Sequence, residues 1–303
     1  MTTISATPGP SESSEPPPSA RRRTAAWLHR HPRARLGLIL ALPLAWLGIA
    51  YLGSLFVLFL NAFWTTDPFT SLVVREFTID NFVELFGGEV YRAVTFRTVG
   101  MAALVTATCI VLAYPIAFYM AKVASPRVRS ALAVAVLMPL WASYLIKAYS
   151  WRQILSENGV LDWALAPLGL TGPGFGDIAI WLTFTYLWLP FMILPIYAGL
   201  ERIPDSLLEA SADLGGHAWM TFRRVVVPMS IPAVVAGSIF TFSLTLGDYI
   251  VPGLVSTTQF IGNVIFINVA QDLPFASAYA LVPLAIMLVY LFVARRLGAF
   301  EAL

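Results

Sequence analysis

The sequence predicts an all-α integral membrane protein of six transmembrane helices with both termini in the cytoplasm, and three observations carry that prediction. Of 303 residues, 58% are apolar and only 12% charged, too few charges to solvate a globular surface of this size. The apolar residues gather into runs near the roughly 20 residues that a helical crossing requires. The basic residues gather beside alternate ends of those runs.

Taken in order, residues 1–20, MTTISATPGPSESSEPPPSA, are rich in Pro, Ser and Glu and lack apolar periodicity, which predicts a disordered cytoplasmic tail. Residues 21–36 form a basic juxtamembrane segment carrying Arg21, Arg22, Arg23, Arg30, Arg33 and Arg35. Residues 37–303 are expected to form the six-helix domain. Its first span, Gly37–Ala62, is uncharged and long enough to cross about 30 Å of hydrocarbon with some tilt. A signal peptide has a shorter apolar stretch and a small-residue cleavage site, so this segment is expected to persist as an anchor. Further spans are expected at Thr98–Met120, Ala131–Tyr149, Ile178–Leu200, Ser230–Val251 and Ala276–Val293.

With the N-terminus inside, only Arg75, Arg92, Arg97, Lys147 and Arg152 of the 19 Lys and Arg fall outside, so the positive-inside rule selects this orientation. A barrel is excluded because its strands would alternate polar and apolar residues over about ten positions. Pro115, Pro139, Pro190, Pro195 and Pro283 fall within spans and predict kinks, since neighbouring helices can satisfy the freed carbonyls. Ala233, Gly237 and Thr241 recur every fourth residue, which predicts close helix packing on that face of span five. Cys109 reads as a packing residue, and His29, His31 and His217 form no metal-ligand spacing. A formal charge of +2 is too small to suggest a nucleic-acid partner.

The most specific stretch is the polar loop over 201–228, ERIPDSLLEASADLGGHAWMTFRRVVVP. Pro204 ends span four. Ser206 with Glu209 fits an S-x-x-E capping box, predicting a short helix whose start those side chains satisfy. Leu207, Leu208, Ser211 and Leu214 predict a mostly apolar face, and Gly215 a left-handed stop reinforced by Gly216. The stripe Trp219, Phe222, Val225 and Val226, with Arg223 and Arg224, then predicts a second helix at the membrane surface before Pro228 and span five.

These residues resemble the EAA loop of the membrane subunits of bacterial binding-protein-dependent ABC importers: E-A-A, three residues, G, nine residues, I-x-L-P. Glu209, Ala210 and Ser211 match the triplet with serine at its third place, Gly215 falls at the glycine, and Val225, Val227 and Pro228 take the last positions. The resemblance implies the type I permease fold and a coupling helix in which Glu209, Ala210, Ser211, Leu214 and Gly215 contact a separate ATPase. By itself, Glu209 reads as a helix cap; the glycine stop, the spacing to Pro228 and the place between spans four and five turn the reading toward coupling. Partners implied are two ATP-binding subunits, which hold the ATP-Mg, a second and unlike permease subunit, an extracytoplasmic solute-binding protein and the lipid bilayer of the bacterial inner membrane, which the chain crosses several times. This chain is expected to hold no cofactor. LLEASADLG, VVVPMSIPAVVAGSIFTF, LGDYIVPGLVS, IGNVI and DLPFASA look most like the spermidine/putrescine group, which implies a polyamine cargo; iron, phosphonate or another small solute is the alternative.

No G-x-x-x-x-G-K-[ST] loop occurs, so nucleotide phosphates are not cradled that way here, and no H-E-x-x-H or G-x-S-x-G motif supports an enzyme. A self-contained channel or secondary carrier would place charges or broken helices at mid-membrane, and the sequence marks neither clearly. Asp248, beside Tyr249 at the outer end of span five, reads either as an interfacial carboxylate or as a cation-attracting group. Trp141, Tyr144, Tyr149 and Trp151, ascending span three, read either as an aromatic belt or as faces for an organic cation. Asp248, Tyr249, Trp141 and Tyr144 are therefore the candidate residues of a cationic substrate's route.

Overall fold

The computed structural model describes residues 32–296; the expected tail over 1–20, most of the basic segment over 21–36 and residues 297–303 lie outside them. The chain divides into two units, Met1–Val57 and Leu58–Leu303. α1 (Pro32–Trp46) runs into a π-helical stretch, Leu47–Leu52, followed by α2 (Gly53–Asn61), within which the first unit ends at Val57. Together they supply the first span, expected at Gly37–Ala62 and found over Arg35–Asn61. Leu42, Trp46 and Ile49 on it are exposed, as a helix solvated by lipid allows.

The second unit opens on a small antiparallel hairpin of β1 (Thr65–Thr66) and β2 (Val73–Val74), which the sequence had not marked. Its turn is closed by Asp67, which accepts from the backbone N–H groups of Phe69 and Thr70 at 2.8 and 3.0 Å. Those two donors hold its carboxyl below the usual carboxylate range. The short α3 (Asp80–Gly87) leads into α4 (Glu89–Phe118), which ends in a π-turn over Tyr119–Val123. There follow α5 (Pro126–Trp141), α6 (Tyr144–Leu155), α7 (Val160–Leu165) and α8 (Asp177–Glu201). The loop helices α9 (Asp205–Asp213) and α10 (Ala218–Thr221) precede α11 (Val227–Gly247). Finally come α12 (Ile250–Val255), α13 (Ile261–Gln271) and α14 (Leu273–Arg296). Among the described residues, five helices are long and apolar enough to cross a membrane, and a sixth if α5 and α6 count as one bent span.

Three of the predicted spans differ in form. The third is broken: α5 and α6 meet at 92°. Ala142 and Ser143 are extended there, and the break leaves the last carbonyls of α5 without helical partners. The Lys147 ammonium donates to one of them, Pro139 O, at 3.1 Å, placing positive charge at the negative end of the helix. Broken helices are thus present where the sequence showed none. The fifth span ends at Gly247 rather than Val251, while at its other end it is continuous with α10 through a π-turn, Phe222–Val226. Pro228 has no N–H to return to Arg224, and the π-turn absorbs that missing bond, so the second loop helix and the span are one helix. The sixth span is preceded by an apolar helix, α13, that the sequence reading did not separate.

The core lies where α4, α8 and α11 pack, around fully buried Cys109, Phe184, Met192 and Ile196. The small-residue stripe of span five does what its spacing predicts. A Cβ on Gly237 would stand 3.3 Å from Met192 Cα, and one on Gly199 would collide with Ala233 Cβ. Buried hydroxyls close on their own helices: Thr106 donates to Ala102 O at 2.7 Å and Thr183 to Ala179 O at 2.7 Å.

Candidate functional site

Two places combine side chains that the packing alone does not need. The first is the loop after α8. Its helix α9 begins at Asp205 behind Pro204, and no side chain caps it. The expected Ser206–Glu209 capping box is therefore absent. Starting two residues early, with Pro204 as the N-cap, puts Ser206 inside the first turn, where its hydroxyl no longer faces the orphan donors. Glu209 is exposed, and its carboxylate has no hydrogen-bond partner among the described residues.

The C-terminal end of α9 forms as predicted. Gly215 adopts φ +79°, its N–H donates to Ala212 O at 2.9 Å, and Gly216 N–H donates to Ser211 O at 2.9 Å. This is the paired closure of a Schellman motif, satisfying two of the four last carbonyls. Gly216 matters for a reason the sequence did not disclose: a Cβ there would lie 2.6 Å from Ser211 O. His217 then starts α10, its Nδ1 accepting from Met220 N–H at 3.3 Å, and Ser211 and Thr221 hydroxyls bridge the two helices at 2.8 Å. The predicted apolar face divides. Leu208 packs on the core with Phe222, while Leu207 is 40% and Leu214 90% exposed. A cleft of about 410 Å³ between the helices is lined by Leu207, Ala210, Ser211, Leu214, Met220 and Arg224, among others.

Two clamps join this loop to the spans. Lys122, at the end of span two, donates to Ile203 O at 2.7 Å and to Asp205 at 2.8 Å. That ammonium holds the Asp205 carboxyl below the usual range. Arg129, on α5, donates to Met120 O at 3.1 Å and lies 3.4 Å from Glu201, which also accepts from the Tyr197 hydroxyl at 3.0 Å.

The second place is at the opposite end of α11. Asp248 interrupts the helix there. Its Oδ1 accepts from Ile250 and Val251 N–H at 2.8 and 3.0 Å, starting α12, and its Oδ2 accepts from the Tyr144 hydroxyl. Tyr144 stacks on Trp188 of α8, centroids 6.0 Å apart and planes at 7°, and Tyr249 stacks on Phe266 at 4.5 Å. Tyr144, Trp188, Asp248, Tyr249 and Ile250 border a cleft of about 360 Å³. Asp248, Tyr249 and Tyr144 are thus brought together as expected, and Trp141 is not: it is 90% exposed on the far side of the α5–α6 bend. The bend likewise removes Tyr149 and Trp151 from a single ascending row. Trp188 takes the place expected of Trp141, a pairing across helices with no periodic signal in sequence. Gly262 was also missed; it lets α13 approach so closely that a Cβ would lie 2.7 Å from Asp248 O. Asn263 secures the same junction by donating to Tyr249 O at 2.7 Å. Among the described residues no group of His, Cys, Asp and Glu could hold a metal ion.

Comparison with known proteins places this geometry. Residues 36–300 match the family described as binding-protein-dependent transport system inner membrane component. The chain is 44% identical to the inner membrane ABC transporter permease protein YdcU of Escherichia coli (strain K12), over 93% of this chain and 95% of that one. It is 34% identical to the spermidine/putrescine transport system permease protein PotB of the same organism, over 72% of this chain and 81% of the relative. In fold it is similar to a chain of the bacterial alginate ABC transporter crystallised with a pentasaccharide-bound periplasmic protein, at TM-score 0.70 and 19% identity, covering 91% of this chain and 98% of that one.

Proposed function

This chain belongs to the binding-protein-dependent transport system inner membrane components, the permease subunits of ABC importers, and on that premise we propose that it admits polyamines of the spermidine/putrescine class, driven by ATP hydrolysed on partner subunits. It is a multi-pass protein of the bacterial inner membrane and not an enzyme. In the proposed arrangement both termini and the loop over 201–228 face the cytoplasm, two ATP-binding subunits seat on that loop and hold the ATP-Mg, and this chain carries no cofactor. A second, unlike permease subunit completes the pathway, and an extracytoplasmic solute-binding protein delivers the cargo.

The observation that carries the coupling reading is the build of α9. It is stopped rigidly at Gly215, presents Glu209, Ala210 and the 90%-exposed Leu214 outward, and is tied through Lys122 to the end of span two, while Arg129 of span three holds Glu201 at the end of α8, just before it. An exposed apolar side chain beside an unpartnered carboxylate suits a docking surface. The clamps supply the path by which a displaced α9 would move the spans, so closing of the ATPases would open the pathway outward in alternating access. Purification through this chain should bring an ATP-binding subunit with it, and Glu209→Ala should depress ATP-dependent uptake. Isolation without an ATPase, together with unaffected uptake in Glu209→Ala cells, would remove the coupling reading.

The polyamine cargo is supported by the PotB relatives and by the carboxylate and aromatic rings around Asp248. A second cargo reading, another small solute such as iron or a phosphonate, is favoured by the higher identity and coverage of YdcU, whose name states no substrate. Calorimetry on the partner binding protein with putrescine and spermidine separates the two. Uptake that persists without nucleotide would favour a self-contained carrier instead.

A further inference from the structure

We infer that the cleft at Asp248 is a binding site, within the membrane subunit itself, for an alkylammonium group. The inference rests on the proposed polyamine cargo only for the identity of the natural ligand; the class of group follows from the cleft.

Among the described residues the ion pairs are Lys122–Asp205 and Arg129–Glu201, so Asp248 has no cationic partner. Its charge is met by hydrogen bonds alone, from Ile250 N–H, Val251 N–H and the Tyr144 hydroxyl. A carboxylate offers about four lone-pair sites, and these three donors leave one for a ligand. A charge kept without a counter-ion in an otherwise apolar bundle costs free energy, and a cation entering the cleft relieves that cost. The walls suit the rest of such a ligand. Tyr144 lies parallel to Trp188, Tyr249 is braced by Phe266, and Leu244 and Ile250 add aliphatic surface. Aromatic faces attract ammonium groups, and apolar walls accept a short methylene chain. At about 360 Å³ the space falls within the range of small-molecule sites, roughly 300–1,000 Å³. A carboxylate or phosphonate ligand would meet the Asp248 charge. A sugar would find few partners for its hydroxyls, since among the described residues Ser243 and the tyrosines are the only side-chain hydroxyls on the wall.

The test uses the permease assembly with its ATPase subunits in lipid nanodiscs, without binding protein, titrated with radiolabelled putrescine. Binding should saturate, be displaced by n-butylamine, and resist butyrate and 1-butanol. Asp248→Asn should weaken it at least tenfold, because Asn keeps the oxygen that Ile250 and Val251 require while losing the charge; Asp248→Glu should weaken it less. Absent saturable binding, equal displacement by butyrate or 1-butanol, or unchanged affinity in Asp248→Asn would overturn the inference. Should Asp248→Asn fail to assemble, the competitor series on the wild-type assembly decides. The cargo reading fails separately. A binding protein that ignores polyamines, beside a membrane subunit that binds putrescine, removes the cargo and keeps the site.

Discussion

The stop of α9 offers the sharpest perturbation. Gly215 sits at φ +79° with nothing within 4 Å of the place a Cβ would occupy, so substitution there has a conformational cost and no steric one. For an L-residue other than Asn or Asp that left-handed geometry costs roughly 1–2 kcal/mol. Gly216 has the reverse problem. Its Cβ would lie 2.6 Å from Ser211 O and 2.7 Å from Ser211 Oγ, and the backbone oxygen is also the acceptor of the Gly216 N–H at 2.9 Å. Relief requires giving up that bond, about 1 kcal/mol net, in addition to any residual overlap. Either change unseats the helix without touching the spans that carry the fold. A shift of 1–2 kcal/mol changes the proportion of correctly closed loop by a factor of about 5–30. ATP-dependent uptake and ATPase co-purification should therefore fall together in Gly215→Ala and Gly216→Ala, while the amount of chain in the membrane holds. Gly215→Asn should be the mildest, since Asn adopts αL routinely. If Gly215→Ala transports as well as Gly215→Asn, or Gly216→Ala is indistinguishable from wild type, the stop does not govern coupling and the reasoning is refuted.

Four further outcomes follow from contacts elsewhere. Lys122→Ala should uncouple the subunits, leaving ATPase association intact while uptake falls, because it unties the loop from span two; loss of the ATPase as well would assign Lys122 to assembly instead. The Lys122–Asp205 link is also pH-sensitive in a defined direction: the Asp205 carboxyl is depressed, so its contribution is present above the ordinary carboxylate pKa and lost as pH falls through the lowered one. Asp205→Asn should flatten any acid-limb change in uptake that this link causes. Gly199→Ala should destabilise the α8–α11 contact by about 1–3 kcal/mol, read as an earlier thermal transition of the detergent-solubilised chain, and Ala233→Gly in the same chain should restore much of it. Lys147→Met should cost about 1.5 kcal/mol by freeing Pro139 O at the end of α5; an unchanged transition would mean water satisfies that carbonyl.

Span number, the loop and its glycine stop were legible because each is local. Run length reports on lipid solvation residue by residue, and Gly215 announces a left-handed turn whatever surrounds it. The capping box was misread because S-x-x-E describes a cap only if Ser206 is the N-cap residue, and the N-cap is Pro204, two residues sooner. The break in span three left only Pro139 as a sign, and proline is as common in kinked helices that continue. Trp141 and Trp188 could not be told apart in advance, since both are aromatics in an apolar run and only the 92° bend turns one away.

By itself, then, the sequence determined the solvent, the helical class and the polar loop over 201–228 with Gly215 at its stop, because hydropathy, charge placement and left-handed preference act over a few neighbouring residues. Tertiary structure alone decided which side chains meet: Lys122 with Asp205, Tyr144 and Trp188 with Asp248, Gly262 beneath the Asp248 carbonyl. Those meetings depend on where helices break and how closely they approach, and both are set by contacts between residues far apart in the chain.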